Sequence, residues 1–200
     1  DAVEPSVHNP AKAYVAILRY QLNDYAPYIY KTEDYGKNWT LITTGDNGLP
    51  GDYPTRVIRE DPNKEGVLYA GTEFGLFVSL NDGESWHAFN NNMPITPITD
   101  MKIHRDDLVM STMGRGFWIL DNIASIRKLD EAANTSAFLF DPKDAIRYRM
   151  NGRNSPRAGA NLEYFIADKS QEVRLDILSN SGKIVRSFVS GKSEPAVNTD

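Results

Sequence analysis

The residues best suited to chemistry in this chain are two carboxylates, Asp24 and Glu73, two guanidinium groups, Arg19 and Arg115, and the rings of Tyr25, Tyr53 and Phe74. Glycosidic bonds are commonly cleaved between two carboxyl groups about 5–10 Å apart, and Asp24 and Glu73 are candidates for such a pair. The same set suits recognition without cleavage: rings stack on apolar faces of a ligand and charged groups fix its polar ones. Glu73 and Arg115 are the first choices, and the competing reading makes them a surface ion pair of little energetic weight. No catalytic constellation is complete, so no catalytic residue is assigned. His8, His87 and His104 share no metal-ligand spacing, and neither metal nor cofactor is expected. Asp46-Asn47-Gly48 reads as a turn rather than a calcium site. With no cysteine, thiolate catalysis, disulfides and cysteine-based zinc sites are excluded. Phosphate-loop and nucleophile-elbow patterns are missing. A net charge of −5 with no basic run argues against a nucleic-acid partner. No apolar stretch approaches the ~20 residues of a membrane helix.

Positioning these residues falls to strands. Short runs rich in Val, Ile, Tyr, Phe and Trp alternate with Gly, Asn, Asp and Pro, the pattern of many short antiparallel strands. One helix is expected, from about Asn122 to Ala133, with Ile123, Ile126 and Leu129 three apart and Asp121 or Asn122 as its cap. Repeats organise the rest. A polar-Pro turn leads to Tyr14-Val15-Ala16 and again to Leu68-Tyr69-Ala70, the two tyrosines 55 residues apart. Leu68-Tyr69-Ala70-Gly71-Thr72 recurs 40 residues later as Leu108-Val109-Met110-Ser111-Thr112, each followed by a Gly and an aromatic strand. Four strands every 40–55 residues is the spacing of propeller blades.

A tighter motif sits inside this repeat. Thr32-Glu33-Asp34-Tyr35-Gly36-Lys37-Asn38-Trp39 and Ser79-Leu80-Asn81-Asp82-Gly83-Glu84-Ser85-Trp86 both read Ser/Thr-x-Asp/Asn-x-Gly-x-x-Trp, 47 residues apart. Each lies between two strands and is therefore a hairpin turn. The Asp or Asn side chain is expected to bond a backbone N–H two residues on. Gly supplies a backbone angle that other residues resist. The Trp is expected to pack into the core. This is the Asp-box, or bacterial neuraminidase repeat, and its Thr32, Asp34, Gly36, Trp39, Ser79, Asn81, Gly83 and Trp86 are read as structural. Ser111 and Trp118 share the outer spacing, but Met113 and Arg115 stand at the Asp and Gly places, so no third copy is counted. Asn38-Trp39-Thr40, expected to be buried by its Trp, and Asn134-Thr135-Ser136 match the glycan acceptor pattern by chance.

With these segments, Tyr28-Ile29-Tyr30-Lys31-Thr32, Leu68-Tyr69-Ala70-Gly71-Thr72-Glu73-Phe74-Gly75 and Gly114-Arg115-Gly116-Phe117-Trp118-Ile119-Leu120-Asp121, residues 7–129 resemble the last blades of sortilin-related, glycosyl-hydrolase-like propeller proteins of environmental bacteria. More distantly, Asp-box propellers include sialidases, two-propeller xyloglucanases and sortilin receptors. The resemblance implies a secreted, periplasmic or cell-surface protein that recognises a polysaccharide, or a protein or peptide. If it is an enzyme, the resemblance implies a glycoside hydrolase.

The expected fold is all-β. Residues 1–130 form about three four-stranded blades, the first without its innermost strand, and the remaining blades belong to a longer parent chain. Residues 136–200 begin an immunoglobulin-like sandwich, with strands at Ala137–Phe140, Ala145–Met150, Asn161–Ala167, Val173–Leu178 and Lys183–Val189. Val173, Leu175 and Ile177 alternate as one buried face requires. The segment from Asn151 to Ala160 is read as a loop. Within a blade, the Asp-box turns lie at one end. The turns joining second to third strands (Arg19 to Pro27, Thr72 to Gly75, Thr112 to Gly116) lie at the other, with the linking loops Gly45 to Pro54 and Asn90 to Pro97. That end would gather Arg19, Asp24, Tyr25, Tyr53, Glu73, Phe74 and Arg115. Arg56, Arg59 and Glu60, on first strands, are read as either facing a central channel or, as such residues more often are, solvated or paired.

Overall fold

The computed structural model describes residues 2–145, 159–168 and 172–190. The first sheet runs β1 (Ala2–Pro5), β2 (Ala13–Ile17), β3 (Tyr28–Thr32), β4 (Thr40–Leu41), antiparallel and in chain order. The second repeats it with β5 (Thr55–Glu60), β6 (Leu68–Thr72), β7 (Gly75–Ser79) and β8 (His87–Ala88). A third holds β9 (Ile98–His104), β10 (Asp107–Thr112) and β11 (Phe117–Leu120).

Burial follows the period of two. In β2 the side chains of Tyr14 and Ala16 are buried and their neighbours half-buried. The middle sheet breaks the alternation, because every residue of β6 and β7 is buried. Its two faces are both covered. Ile58, Leu68, Ala70, Phe77 and Trp86 pack on Tyr14, Ala16, Ile29 and Ile42 of the first sheet. Val57, Tyr69, Leu76 and Val78 pack on Ile98, Met101, Leu108 and Met110 of the third. The first strands of the sheets lie side by side. From β5, Arg59 reaches Glu4 of β1 at 3.4 Å, Asp100 of β9 at 2.6 Å and the Met101 carbonyl at 2.7 Å.

Three expectations change here. The first sheet has its innermost strand: Ala2–Pro5 pair with Ala13–Ala16. The third sheet is the one with three strands. Aligned on Gly75 and Gly116, Leu120 stands where Ser79 does and Ala124 where Gly83 does, so the hydroxyl and glycine of the box turn are missing. The chain instead turns at Asn122, whose φ of 59° is left-handed and cannot begin a helix. Within the expected helix, helical structure is confined to a 3-10 turn, Ile126–Lys128, and α1 (Leu129–Ala133), neither with a side-chain cap. Ile123 and Ile126 are nonetheless buried against the second and third sheets.

Beyond α1, β12 (Ala137–Leu139) pairs with β13 (Tyr164–Ile166), and β14 (Arg174–Leu178) with β15 (Ile184–Val189). The expected buried face of the last hairpin is not formed: Leu175 is half-buried and Ile177 exposed, because no second sheet covers them among the described residues. The expected strand Ala145–Met150 and loop Asn151–Ala160 fall, apart from their end residues, outside the described residues.

Candidate functional site

The two Ser/Thr-x-Asp/Asn-x-Gly-x-x-Trp turns are built alike. Thr32 Oγ1 accepts the Gly36 N–H at 3.0 Å and donates to Asp34 Oδ1 at 2.9 Å, which accepts the Asn38 N–H at 2.9 Å. Ser79, Gly83, Asn81 and Ser85 repeat these bonds at 2.9, 3.0 and 2.9 Å. The acid or amide therefore reaches the N–H four residues on, not two, and the hydroxyl takes the glycine. The Asn38 N–H holds the Asp34 carboxyl below its ordinary range. The tryptophans differ. Trp86 is 2% exposed and its indole N–H donates to the Ile42 carbonyl of the first sheet at 2.9 Å. Trp39, expected in the core, is 42% exposed and bonds only its own turn, at the Gly36 carbonyl. Its ring lies on the outer face of the first sheet with Val15, Ile17 and Tyr30, where no sheet packs among the described residues. It therefore does not bury the Asn38 sequon, and Asn38 is exposed with its amide on Asp34.

Charged groups fill the same end of the first interface. Asp82 takes bonds from Lys31 at 2.9 Å, from Lys12 at 2.8 Å and from the Tyr14 hydroxyl at 2.5 Å. Burial alone would raise the Asp82 carboxyl, but the Lys12, Tyr14 and Lys31 bonds outweigh it and hold it down. Burial pushes the Tyr14 phenol up. Glu60 belongs to this cluster, the paired alternative of the two read for it: it is 4% exposed and accepts the Tyr14 hydroxyl at 3.2 Å. The second interface has its counterpart, with Tyr69 and Arg127 both on Asp61. These groups bridge neighbouring sheets, with Glu60 Oε2 and Arg127 Nη2 left buried without a hydrogen-bond partner among the described residues.

The opposite end of the strands is different. β3 runs from the Leu18–Pro27 connection to the first box turn, so the two turns lie at opposite ends of the sheet. There a groove of about 430 Å³ is lined by Tyr20, Tyr25, Arg56, Glu73, Phe74 and Met113, closed by Pro54 and Pro97. Its surface is mainly aromatic and aliphatic. Phe74 is 39% exposed and braced from behind by Tyr53, ring centroids 4.5 Å apart, which itself meets Phe77 edge-on. Tyr25 is 52% exposed. Of the sequence-selected residues, Tyr25, Glu73 and Phe74 meet in this groove. Arg19 and Asp24 form a pair beside it at 3.2 Å, with Arg19 over the Tyr28 ring and Asp24 accepting the Tyr28 hydroxyl at 3.0 Å. Arg115 is exposed and does not line the groove, where Met113 stands from the same turn.

Glu73 is ion-paired, but with Arg56 at 2.6 Å and not with Arg115. The cause is a β-bulge. Thr55 faces Thr72 and Val57 faces Gly71, which leaves Arg56 unpaired in the register. A bulge bends the strand and re-aims a side chain. Here it sends Arg56 into the groove, with Tyr20 under the guanidinium at 5.6 Å. The third sheet slips at the equivalent place, next to Thr99. Sequence reasoning left Arg56 either facing the channel or paired, and it is paired with Glu73 while also lining a cavity between the first strands with Ala2, Arg59 and Asp100; Tyr20 was missed. No period-two signal marks a bulge, and Tyr20 lies in a 3-10 turn, Tyr20–Leu22, within a loop.

Antiparallel four-stranded sheets, stacked face to face with their first strands together, define the class: an all-β chain forming part of a β-propeller. No family model matches the chain, and no curated protein matches it. Among solved structures it is similar to a GH74 enzyme of Niastella koreensis, with 18% identity over 60% of this chain and 21% of that one at a TM-score of 0.47. It is similar to the GH74 xyloglucanase of Xanthomonas campestris, with 13% identity over 60% and 20% at a TM-score of 0.46. It is also similar to YCF48 bound to D1 peptide, with 16% identity over 60% and 35% at a TM-score of 0.39. The chain thus spans 20–35% of the length of these structures. No helix among the described residues is long and apolar enough to cross a membrane.

Proposed function

We propose that the chain is a ligand-recognising part of an exported, Asp-box-type propeller related to glycoside hydrolases, and that the groove between its sheets binds a segment of polysaccharide. The observation that carries this reading is the groove itself. Two exposed rings, Tyr25 and Phe74, flank a fixed Arg56–Glu73 pair on the turn side, away from the box turns. Rings that stack on sugar faces beside a few convergent polar groups are what oligosaccharide recognition needs.

Binding is favoured over cleavage by the state of the carboxylates. Asp24 is held by Arg19, the Tyr28 hydroxyl and the Ala26 N–H. Glu73 is held by Arg56. A hydrolytic pair needs one carboxyl group to give up a proton and another to attack or activate water, and neither group is released for this.

The test is calorimetric titration with soluble oligosaccharides alongside hydrolysis assays. Phe74→Ala is expected to weaken binding at least ~10-fold, in line with the loss of a stacking anchor, while Asp34→Asn leaves it unchanged. The reverse pattern would place the ligand at the box turns and overturn the assignment. Release of reducing ends that disappears in Glu73→Gln would establish the catalytic alternative.

A further inference from the structure

We propose that the sugar recognised in this groove carries a carboxylate, a uronate, which docks on the free edge of Arg56. The inference rests on the groove being a sugar-binding surface and adds the chemical class of its ligand.

Three features of Arg56 converge. The bulge takes the side chain out of the ladder, where it lines the groove on one side and the cavity between the first strands on the other. Glu73 takes only Nε, at 2.6 Å, which fixes one edge of the guanidinium, and Cζ lies over the Tyr20 ring at 5.6 Å. Its two Nη atoms hold no hydrogen bond among the described residues, whereas those of Arg59 are both engaged. A guanidinium held this way presents two parallel donors in a plane, the fork that matches a carboxylate.

The surroundings narrow the choice of anion. Glu73 neutralises Arg56 and Asp24 neutralises Arg19, so the groove carries no surplus positive charge, and an anion is recognised there by the planar fork of Arg56 rather than by net charge. The lining beyond Arg56 is made of exposed rings and Met113, which fit the apolar face of a pyranose. The walls come from turns at strand ends, which offer no ladder edge along which a peptide backbone could add. A uronate ring on Phe74 with its carboxylate on Arg56 uses every feature. Glu73 is then a positioning residue, holding the fork toward the ligand.

The experiment titrates the whole chain with a trigalacturonate, with the same oligosaccharide after reduction of its carboxyl groups, and with a tripeptide bearing a free C-terminus. Expected is a preference of at least ~10-fold for the acidic sugar, the scale of one charge-assisted bidentate contact, shrinking as salt rises. Arg56→Gln and Arg56→Lys should each bring the acidic-to-reduced ratio close to one, since lysine keeps the charge but not the fork. Equal affinity for acidic and reduced sugars, both lost in Phe74→Ala, would overturn the carboxylate assignment while sparing the sugar-binding surface. Binding of none of the sugars would overturn both. Binding of the tripeptide alone would replace sugar with a peptide terminus. The wild-type comparison of acidic with reduced sugar decides the matter even if an Arg56 variant fails to fold.

Discussion

Trp86 and Trp39 hold the same place in two copies of one motif, yet their truncation should cost very different amounts. Trp86 is 2% exposed and fills the space between the first and second sheets. Removing a fully buried Trp costs about 3–5 kcal/mol in transfer and cavity terms. Its lost hydrogen bond adds little, because the Ile42 carbonyl keeps a second donor, the Asn47 side-chain amide at 3.0 Å. Trp39 is 42% exposed, bonds only within its own turn, and leaves no enclosed cavity when cut back. About 1–2 kcal/mol is expected there from the smaller apolar area returned to water. For a chain of this size each kcal/mol moves the midpoint by about 2–4 °C. Trp86→Ala should therefore melt roughly 10 °C below the parent, and Trp39→Ala only a few degrees below. Urea unfolding of both variants gives the free energies directly, provided the m-value is unchanged. Equal losses, within about 0.5 kcal/mol, would show that the outer face of the first sheet is covered in solution and would refute the reasoning from exposure.

The glycines of the two turns give a second comparison. At both, φ is positive (Gly36 +81°, Gly83 +87°), but a Cβ at Gly83 would lie 2.6 Å from Ile42, whereas at Gly36 the nearest atoms are 3.8 Å away in Trp39. Gly36→Ala should cost about 1 kcal/mol of backbone strain and Gly83→Ala clearly more; equal costs by thermal melting would contradict the packing. Asp82 predicts a pH dependence. Its folded pKa is depressed, so its contribution is complete above the unfolded value and is lost as pH falls through the folded one. Asp82→Asn should destabilise at pH 7, with a penalty that begins to shrink only as pH falls below about 4, and a pH-independent penalty in urea titrations would sink the idea. Breaking the box hydroxyl in Ser79→Ala, which strands the Gly83 N–H in a buried turn, should cost about 1–3 kcal/mol. Native-state hydrogen exchange at Gly83 would report it as faster exchange, and unchanged exchange would refute it.

The repeat of aromatic strands and the two boxed turns were enough to establish antiparallel sheets in chain order, because alternation and turn chemistry are local properties of a few consecutive residues. The strand order of the middle sheet and the placing of Tyr25, Glu73 and Phe74 at the end away from the box turns follow from that alone. What the chain does not spell out is everything set by the neighbouring sheet. Trp39 and Trp86 have the same local context and opposite burial, since among the described residues only Trp86 has a sheet against it. Arg56 looks like any strand residue until a one-residue bulge in the β5–β6 ladder turns it into the groove and gives it to Glu73. Register and inter-sheet contact join residues far apart in sequence, so no local pattern can carry them, and it is they that assemble the candidate site.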